Sequence, residues 1–127
     1  MNRTKFSAIL FLAAFALAIV SSSVATATPG EGLTDSPAQA SERYIGQPDA
    51  IRAGEKLFRQ HCAECHGTNA RGIGKAANLR SGRIRAKSPE ELVTFLRSGN
   101  MWKGMPSWSG LPEQRRWQIV AYLKSLR

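Results

Sequence analysis

The segment Cys62-Ala63-Glu64-Cys65-His66 sets two thiols three positions apart and places an imidazole directly after the second. The chain of 127 residues has no other cysteine, and its only other histidine is His61. Two cysteines exclude a scaffold of several disulfides, and a zinc site of four Cys or His ligands would have to use all four of these clustered residues. The sequence therefore concentrates its reactive side chains in this one segment.

The C-x-x-C-H spacing is the attachment pattern of a c-type haem. Two thiols near the end of a helix can each form a thioether to a porphyrin vinyl group, and the next imidazole then falls over the iron. Cys62 and Cys65 are predicted to attach one haem c covalently, with His66 as an axial ligand. His61 lies on the same segment and cannot reach the opposite haem face. The alternatives are a thioredoxin-like dithiol and a plain disulfide between the two cysteines.

The second axial ligand is expected from the connection before the last predicted helix, which holds Met101 and Met105. Gly104 permits close backbone approach, and Pro106 biases Met105 toward extended geometry. Met105 is therefore the predicted ligand, and core filling is the alternative for both methionines. A His/Met pair raises the reduction potential relative to two nitrogen ligands, which suits an electron carrier.

Apolar spacing and capping signals predict an all-α domain of three main helices with long connections. A helix is expected over 49–61, where apolar residues recur at three- and four-residue intervals. Ser88-Pro89-Glu90-Glu91 has the form of a capping box and starts a second helix, which Gly99 ends. A third runs from Pro112 to the end with apolar residues on one side. The connection over 67–87 is predicted to be a structureless loop of twenty-one residues, a length that usually indicates function.

The N-terminal part of the chain predicts export. A positive start, an apolar run over 6–20 and Ala25-Thr26-Ala27 form the pattern of a cleavable secretory signal over 1–27. A retained membrane anchor is the alternative, but this run of fifteen residues is shorter than the roughly twenty that span a bilayer. Residues 28–48 are rich in Pro and Gly and are predicted to be a flexible linker. One small domain over 49–127 remains.

Positive charge is concentrated in the 67–87 connection. The chain has a formal net charge of +9, and this connection holds six cations and no carboxylate. The six are Arg71, Lys75, Arg80, Arg83, Arg85 and Lys87. Such a patch can bind phosphates, but the export signal argues against nucleic acid. A docking face for an acidic partner and a merely solvated loop are the two remaining interpretations.

The order of several motifs resembles that of class I cytochromes c across almost all of residues 49–127. The matching motifs are Gly54-Glu55-Lys56-Leu57-Phe58, the CAECHG segment, Asn78-Leu79, Gly104-Met105-Pro106 and Ile119-Val120-Ala121-Tyr122-Leu123. The resemblance implies a class I cytochrome c fold, with three main helices wrapped around a covalent haem.

The resemblance also implies specific contacts. The first and last helices would cross, with Gly54 close to Tyr122 and with Phe58 near Ile119 and Leu123. In the family a proline often precedes the Asn-Leu pair, and its carbonyl accepts the ring N–H of the axial histidine. Ala77 occupies that position here and still offers a carbonyl, with less rigidity.

Three tryptophans, Trp102, Trp108 and Trp117, are expected to pack in the core around the haem. A buried indole N–H needs an acceptor, and in this family a haem propionate can serve, which makes Trp108 a candidate propionate partner. Arg80 and Arg83 are the competing candidates.

These features predict a small periplasmic cytochrome that carries one electron between redox proteins, docks to acidic surfaces and has no substrate of its own. Two alternatives remain. The chain could be a haem subunit of a dehydrogenase or oxidase complex, or a haem peroxidase or gas sensor with an open sixth position.

Overall fold

The computed structural model describes residues 36–127, which contain six α-helices and one 3₁₀ turn. The helices are α1 (Pro37–Tyr44), α2 (Pro48–His61), α3 (Ala63–His66), α4 (Gly82–Arg85), α5 (Pro89–Ser98) and α6 (Glu113–Ser125), and the 3₁₀ turn is Met101–Lys103. Strand-like pairing in this range is limited to one isolated bridge between Asn100 and Met105. The predicted all-α class is confirmed, and the predicted signal segment lies outside the described residues.

The crossing of α2 and α6 organises the domain. A Cβ at Gly54 would clash with the backbone carbonyl of Gln118 and lie 3.0 Å from the Cβ of Tyr122, so the two helices approach as closely as only glycine permits. Phe58 is fully buried, and its ring centroid is 5.3 Å from that of Tyr122. The predicted crossing of the first and last helices is confirmed.

Helix α6 is buried on more sides than predicted. Ile119 and Leu123 lie in the same buried cluster as Phe58, as expected, but Trp117 and Val120 are also buried. The reason is that α6 packs against α1 and α5 as well as against α2. Its sequence therefore lacks the single apolar stripe that a helix with one neighbour shows.

The linker predicted over 28–48 is wrong in its second half, because α1 forms there. The Ser36 hydroxyl accepts from the backbone N–H of Gln39 at 3.4 Å, and the Gln39 side chain accepts from the Ser36 N–H at 2.9 Å. Ala40 is buried, and the Tyr44 ring stacks on Trp117 with centroids 6.2 Å apart. A capping box and two packed side chains thus outweigh the linker-like composition.

The predicted second helix is α5. Ser88 and Glu91 form the expected capping box, with the Ser88 N–H donating to the Glu91 carboxylate at 2.7 Å. Leu92, Val93 and Leu96 are buried between this helix and the rest of the core. The helix ends at Gly99 as predicted.

The connection over 67–87 is more ordered than predicted, because it contains the single-turn helix α4. Ala70 is fully buried with a φ of +60°, and its carbonyl accepts from the Leu79 N–H at 2.9 Å. At the other end of the connection, the Lys124 ammonium donates to the carbonyls of Arg85 and Lys87 at 2.8 and 2.9 Å. None of the helices within residues 36–127 is long and apolar enough to cross a membrane.

Candidate functional site

The Cys62–His66 segment forms one turn of helix directly after α2. The Cys62 N–H donates to the Phe58 carbonyl at 2.8 Å, and the Cys62 carbonyl accepts from the backbone N–H groups of Cys65 and His66 at 3.2 and 2.9 Å. Both cysteines are free thiols, and Cys65 is exposed. Two thiols and one imidazole are therefore carried by a single rigid turn.

The ionisation of Cys62 argues against a thioredoxin-like dithiol. Burial, and after it the neighbouring Cys65, raises the pKa of Cys62 to about 11. A reactive dithiol requires a nucleophilic cysteine whose pKa is lowered. The environment of Cys62 shifts its pKa in the opposite direction.

The orientation of His66 is set by a hydrogen bond across the 67–87 connection. Its Nδ1 lies 2.9 Å from the backbone carbonyl of Ala77. Because a carbonyl only accepts, Nδ1 carries the proton, and the lone pair of Nε2 is left for a metal. The expectation that Ala77 provides this carbonyl despite the missing proline is confirmed.

The start of the 67–87 connection folds back onto the same turn. The Gly72 N–H donates to the His66 carbonyl at 2.8 Å, and the Ile73 N–H donates to the Cys65 carbonyl at 3.0 Å. Gly72 has a φ of +86°, and a Cβ there would clash with the carbonyl of Ala76. Ile73 is 60% exposed, so the residue whose backbone is bonded to Cys65 presents an apolar side chain to solvent.

Met105 closes a short loop. Its backbone exchanges two hydrogen bonds with Asn100, at 2.8 and 3.0 Å, and its side chain is half-buried against the core. Met101, at the tip of the loop, is 72% exposed. Of the two methionines considered from the sequence, Met105 is thus the one that packs inward.

The loop that carries Met105 is attached to the end of α5. A Cβ on Gly99 would lie 2.5 Å from the Pro106 carbonyl oxygen, and Gly99 has a φ of +68°. The Ser107 hydroxyl donates to the Arg97 carbonyl at 2.6 Å. Backbone packing and this hydrogen bond fix both residues that follow Met105.

Arg116 is a site residue that sequence reasoning missed. It is 7% exposed, and its guanidinium donates to the carbonyls of Leu111, Trp108 and Ser109, the last two at 3.4 Å. It therefore holds the segment that follows Met105 from the first turns of α6. Its position in the sequence could have indicated its burial, because residues three apart on a helix lie on the same face and Arg116 precedes the buried Ile119 by three.

The three tryptophans occupy different environments. Trp117 is buried and donates its indole N–H to the Glu113 carboxylate at 3.2 Å. Trp108 is half-buried, with its ring 5.3 Å from the imidazole of His61. Trp102 lies at the tip of the Met105 loop and does not pack against the protein core of residues 36–127, and its packing around the haem stays a prediction.

The two arginines considered as propionate partners differ in their surroundings. The Arg80 guanidinium donates to the carbonyl of the last residue, Arg127. Arg83 is exposed on α4. Together with Trp108 they remain sequence predictions for propionate contacts.

Within residues 36–127, no three His, Cys, Asp or Glu side chains converge so that they could hold a metal ion. The protein side chains of this region thus do not form a metal site of the zinc type. His66 and Met105 could supply only axial ligands to a metal held by another group.

The crossing of α2 and α6 and the C-x-x-C-H turn together define a c-type cytochrome domain. Residues 49–123 match the family described as "Cytochrome C oxidase, cbb3-type, subunit III", and the chain belongs to this family. Membership implies a covalently bound haem c and a role in electron transfer.

Two relatives illustrate this membership. The chain is 36% identical over 93 residues to the cbb3-type cytochrome c oxidase subunit CcoP of Rubrivivax gelatinosus, covering 69% of this chain and 30% of the relative. It is 32% identical over 73 residues to the subunit of the same name from Helicobacter pylori (strain ATCC 700392 / 26695), covering 57% and 23%. The chain spans less than a third of the length of these relatives.

Proposed function

We propose that this domain is a one-electron carrier whose haem c is attached through Cys62 and Cys65 and ligated by His66 and Met105. The observation that carries the proposal is the hydrogen bond from His66 Nδ1 to the Ala77 carbonyl. His66 lies on the same helical turn as the two free thiols, Cys62 and Cys65. This bond leaves Nε2 as the ligating nitrogen and increases its basicity.

The surroundings of the turn fit a large, flat and largely apolar group. Ile73, whose backbone N–H donates to the Cys65 carbonyl, has an exposed apolar side chain, and the thioether of Met105 is a soft ligand on a fixed loop. Bound haem supplies an iron centre that takes up and releases one electron. The chain contributes the orientation of the imidazole and, through sulfur ligation, a raised reduction potential.

Paired methionine variants test the ligand assignment in the purified, haem-loaded protein. Met105→Ala is expected to abolish the far-red sulfur-to-iron charge-transfer band of the oxidised protein. Met101→Ala is the matched control, since it removes the same side chain from the exposed tip and is expected to keep the band. Loss of the band in Met101→Ala alone would refute the assignment, and a wild-type protein without haem mass would refute the proposed function.

We further propose that the carrier works as a haem-bearing component of a terminal oxidase complex of the cbb3 type. The relatives that support this are named as subunits of such an oxidase. The other subunits of the oxidase should co-purify with the tagged chain from detergent-solubilised membranes. The purified material should then contain more haem per tagged chain than the chain alone carries. Recovery of the chain alone would contradict membership of the complex.

A free periplasmic carrier is the second candidate. It is favoured by the export pattern of residues 1–27 and by the cations of the 67–87 connection, of which Arg71, Lys75, Arg83 and Arg85 are exposed. Osmotic release of a haem-containing protein whose mass begins near residue 28 would support this candidate, and retention of residues 1–27 would contradict it.

A further inference from the structure

The two candidate axial ligands are carried by segments that are attached to different helices. His66 lies on the turn that directly follows α2. The segment after Met105 is attached to α5 instead, because the Trp108 N–H donates to the Leu96 carbonyl at 2.9 Å. The position of one ligand relative to the other therefore depends on how these two segments contact each other.

A ring contact between His61 and Trp108 joins the two segments. His61 is the last residue of α2 and immediately precedes Cys62. The centroid of its imidazole lies 5.3 Å from that of the Trp108 ring, and the two planes are tilted by 57°. Tilted aromatic rings at this distance attract each other. The separation leaves no room for a further group between the rings, so a bound haem would lie to one side of the pair.

Trp108 is itself held at several points. Besides its bond to α5, its carbonyl accepts from the Leu111 N–H at 3.1 Å and from the Arg116 guanidinium at 3.4 Å. Its side chain is half-buried and packs against the buried core cluster. A ring that is fixed in this way can restrain the imidazole of His61 and the helix end that carries it.

We propose that His61 is a positioning residue whose ring, through Trp108, keeps the thioether of Met105 at the iron. This role rests on the proposed function, because it concerns the same two ligands. Trp108 follows Met105 by three residues and His61 precedes His66 by five, so the contact joins the ligand-bearing segments close to both ligands. Without it, the Met105 segment should move away from the iron more often and give an external ligand access.

Imidazole titration of the oxidised, haem-loaded protein tests this role, because imidazole competes with Met105 and its binding removes the far-red band. His61→Ala is expected to bind imidazole about fivefold more tightly than the wild type, and His61→Phe, which keeps a ring, to restore most of the wild-type affinity. Trp108→Ala should bind imidazole at least as tightly as His61→Ala. Adding His61→Ala to Trp108→Ala should cause little further change, because both substitutions remove the same contact.

Two controls accompany these variants. Gln60→Ala, at the exposed neighbour of His61 on α2, should keep the wild-type affinity for imidazole. Ser88→Ala removes the cap of α5 and should lower the free energy of unfolding without changing this affinity, which separates positioning from general destabilisation. If His61→Ala does not load haem, His61→Leu gives the same comparison, since it keeps the bulk without the ring.

Four results would overturn the positioning role alone. These are an unchanged affinity in His61→Ala, a failure of His61→Phe to restore it, additive effects of the His61 and Trp108 substitutions, and an equal rise in affinity in Ser88→Ala. A wild-type protein that carries haem but lacks the far-red band would instead overturn the ligation by Met105 in the proposed function, before any variant is compared.

Discussion

The α2–α6 crossing and the Met105 loop are stabilised in different ways. At the crossing, Gly54 brings two backbones into contact, and Phe58 is buried without any polar partner. In the segment that follows Met105, the Leu111 carbonyl accepts from the guanidinium of Arg116, and the Ser107 hydroxyl donates to the Arg97 carbonyl of α5. Close backbone packing therefore fixes the α2–α6 crossing, whereas directional hydrogen bonds fix the segment next to the candidate ligand Met105.

Helix α6 serves both regions. Its apolar residues pack against α2, while two of its cations, Arg116 and Lys124, donate to carbonyls of the two long connections. A change on the apolar side should therefore unfold the domain, and a change in a cation should loosen one connection.

The largest effect is expected at the crossing. Gly54→Ala places a Cβ against the backbone carbonyl of Gln118. This clash can be relieved only if α2 and α6 move apart. We expect a loss of about 3 kcal/mol in the free energy of unfolding, or failure to fold. Denaturant unfolding followed by circular dichroism measures it.

Gly82→Ala is the matched control, since no atom lies within 4 Å of its Cβ position at the start of α4. It is expected to leave stability unchanged or to raise it slightly, because alanine restricts the unfolded chain. Equal losses in the two variants would show that the close approach at Gly54 does not matter.

A smaller and more local effect is expected for Arg116→Met. It leaves the partly buried carbonyls of the segment after Met105 without their donor, and we expect a loss of about 2 kcal/mol in the free energy of unfolding. The far-red band of the haem-loaded protein should also weaken, because the Met105 loop loses its support. Arg115→Met, on the exposed neighbour, should change neither the stability nor the band; the same weakening there would remove Arg116 from its positioning role.

The smallest effect is expected at the start of α5. Ser88→Ala removes the cap and should destabilise the domain by about 1 kcal/mol, measured by denaturant unfolding at neutral pH. Ser98→Ala, at the exposed end of the same helix, should be neutral. A larger loss in Ser98→Ala than in Ser88→Ala would contradict the role of the cap.

The same cap gives stability a defined pH dependence. Hydrogen bonding to the Ser88 backbone N–H, and then to Lys87, lowers the pKa of Glu91. A carboxyl whose pKa is lower in the folded state contributes stability above its unfolded pKa, about 4.3, and this contribution disappears as the pH falls through the folded pKa. Glu91→Gln should retain the capping box but reduce the loss of unfolding free energy as the pH falls below about 4.3. An unchanged pH dependence would show that Glu91 is not its source.

The candidate site could be predicted where its signals are local. The C-x-x-C-H turn, the capping box of Ser88 and Glu91, and the inward placement of Met105 all depend on residues within a few positions of one another. The partnership of His66 with Ala77 is not local, and it was anticipated only through the resemblance to class I cytochromes c.

By itself, the sequence determined the helical class, the turn that carries the thiols and the ends of α5, because caps, glycine stops and residue spacing act within a few residues. Only the tertiary structure decided that α1 docks through Tyr44 on Trp117, that Arg116 supports the Met105 loop and that Trp102 is exposed. These outcomes depend on how helices far apart in the chain cross, and the burial of a residue is set by its neighbours in space rather than by its own type.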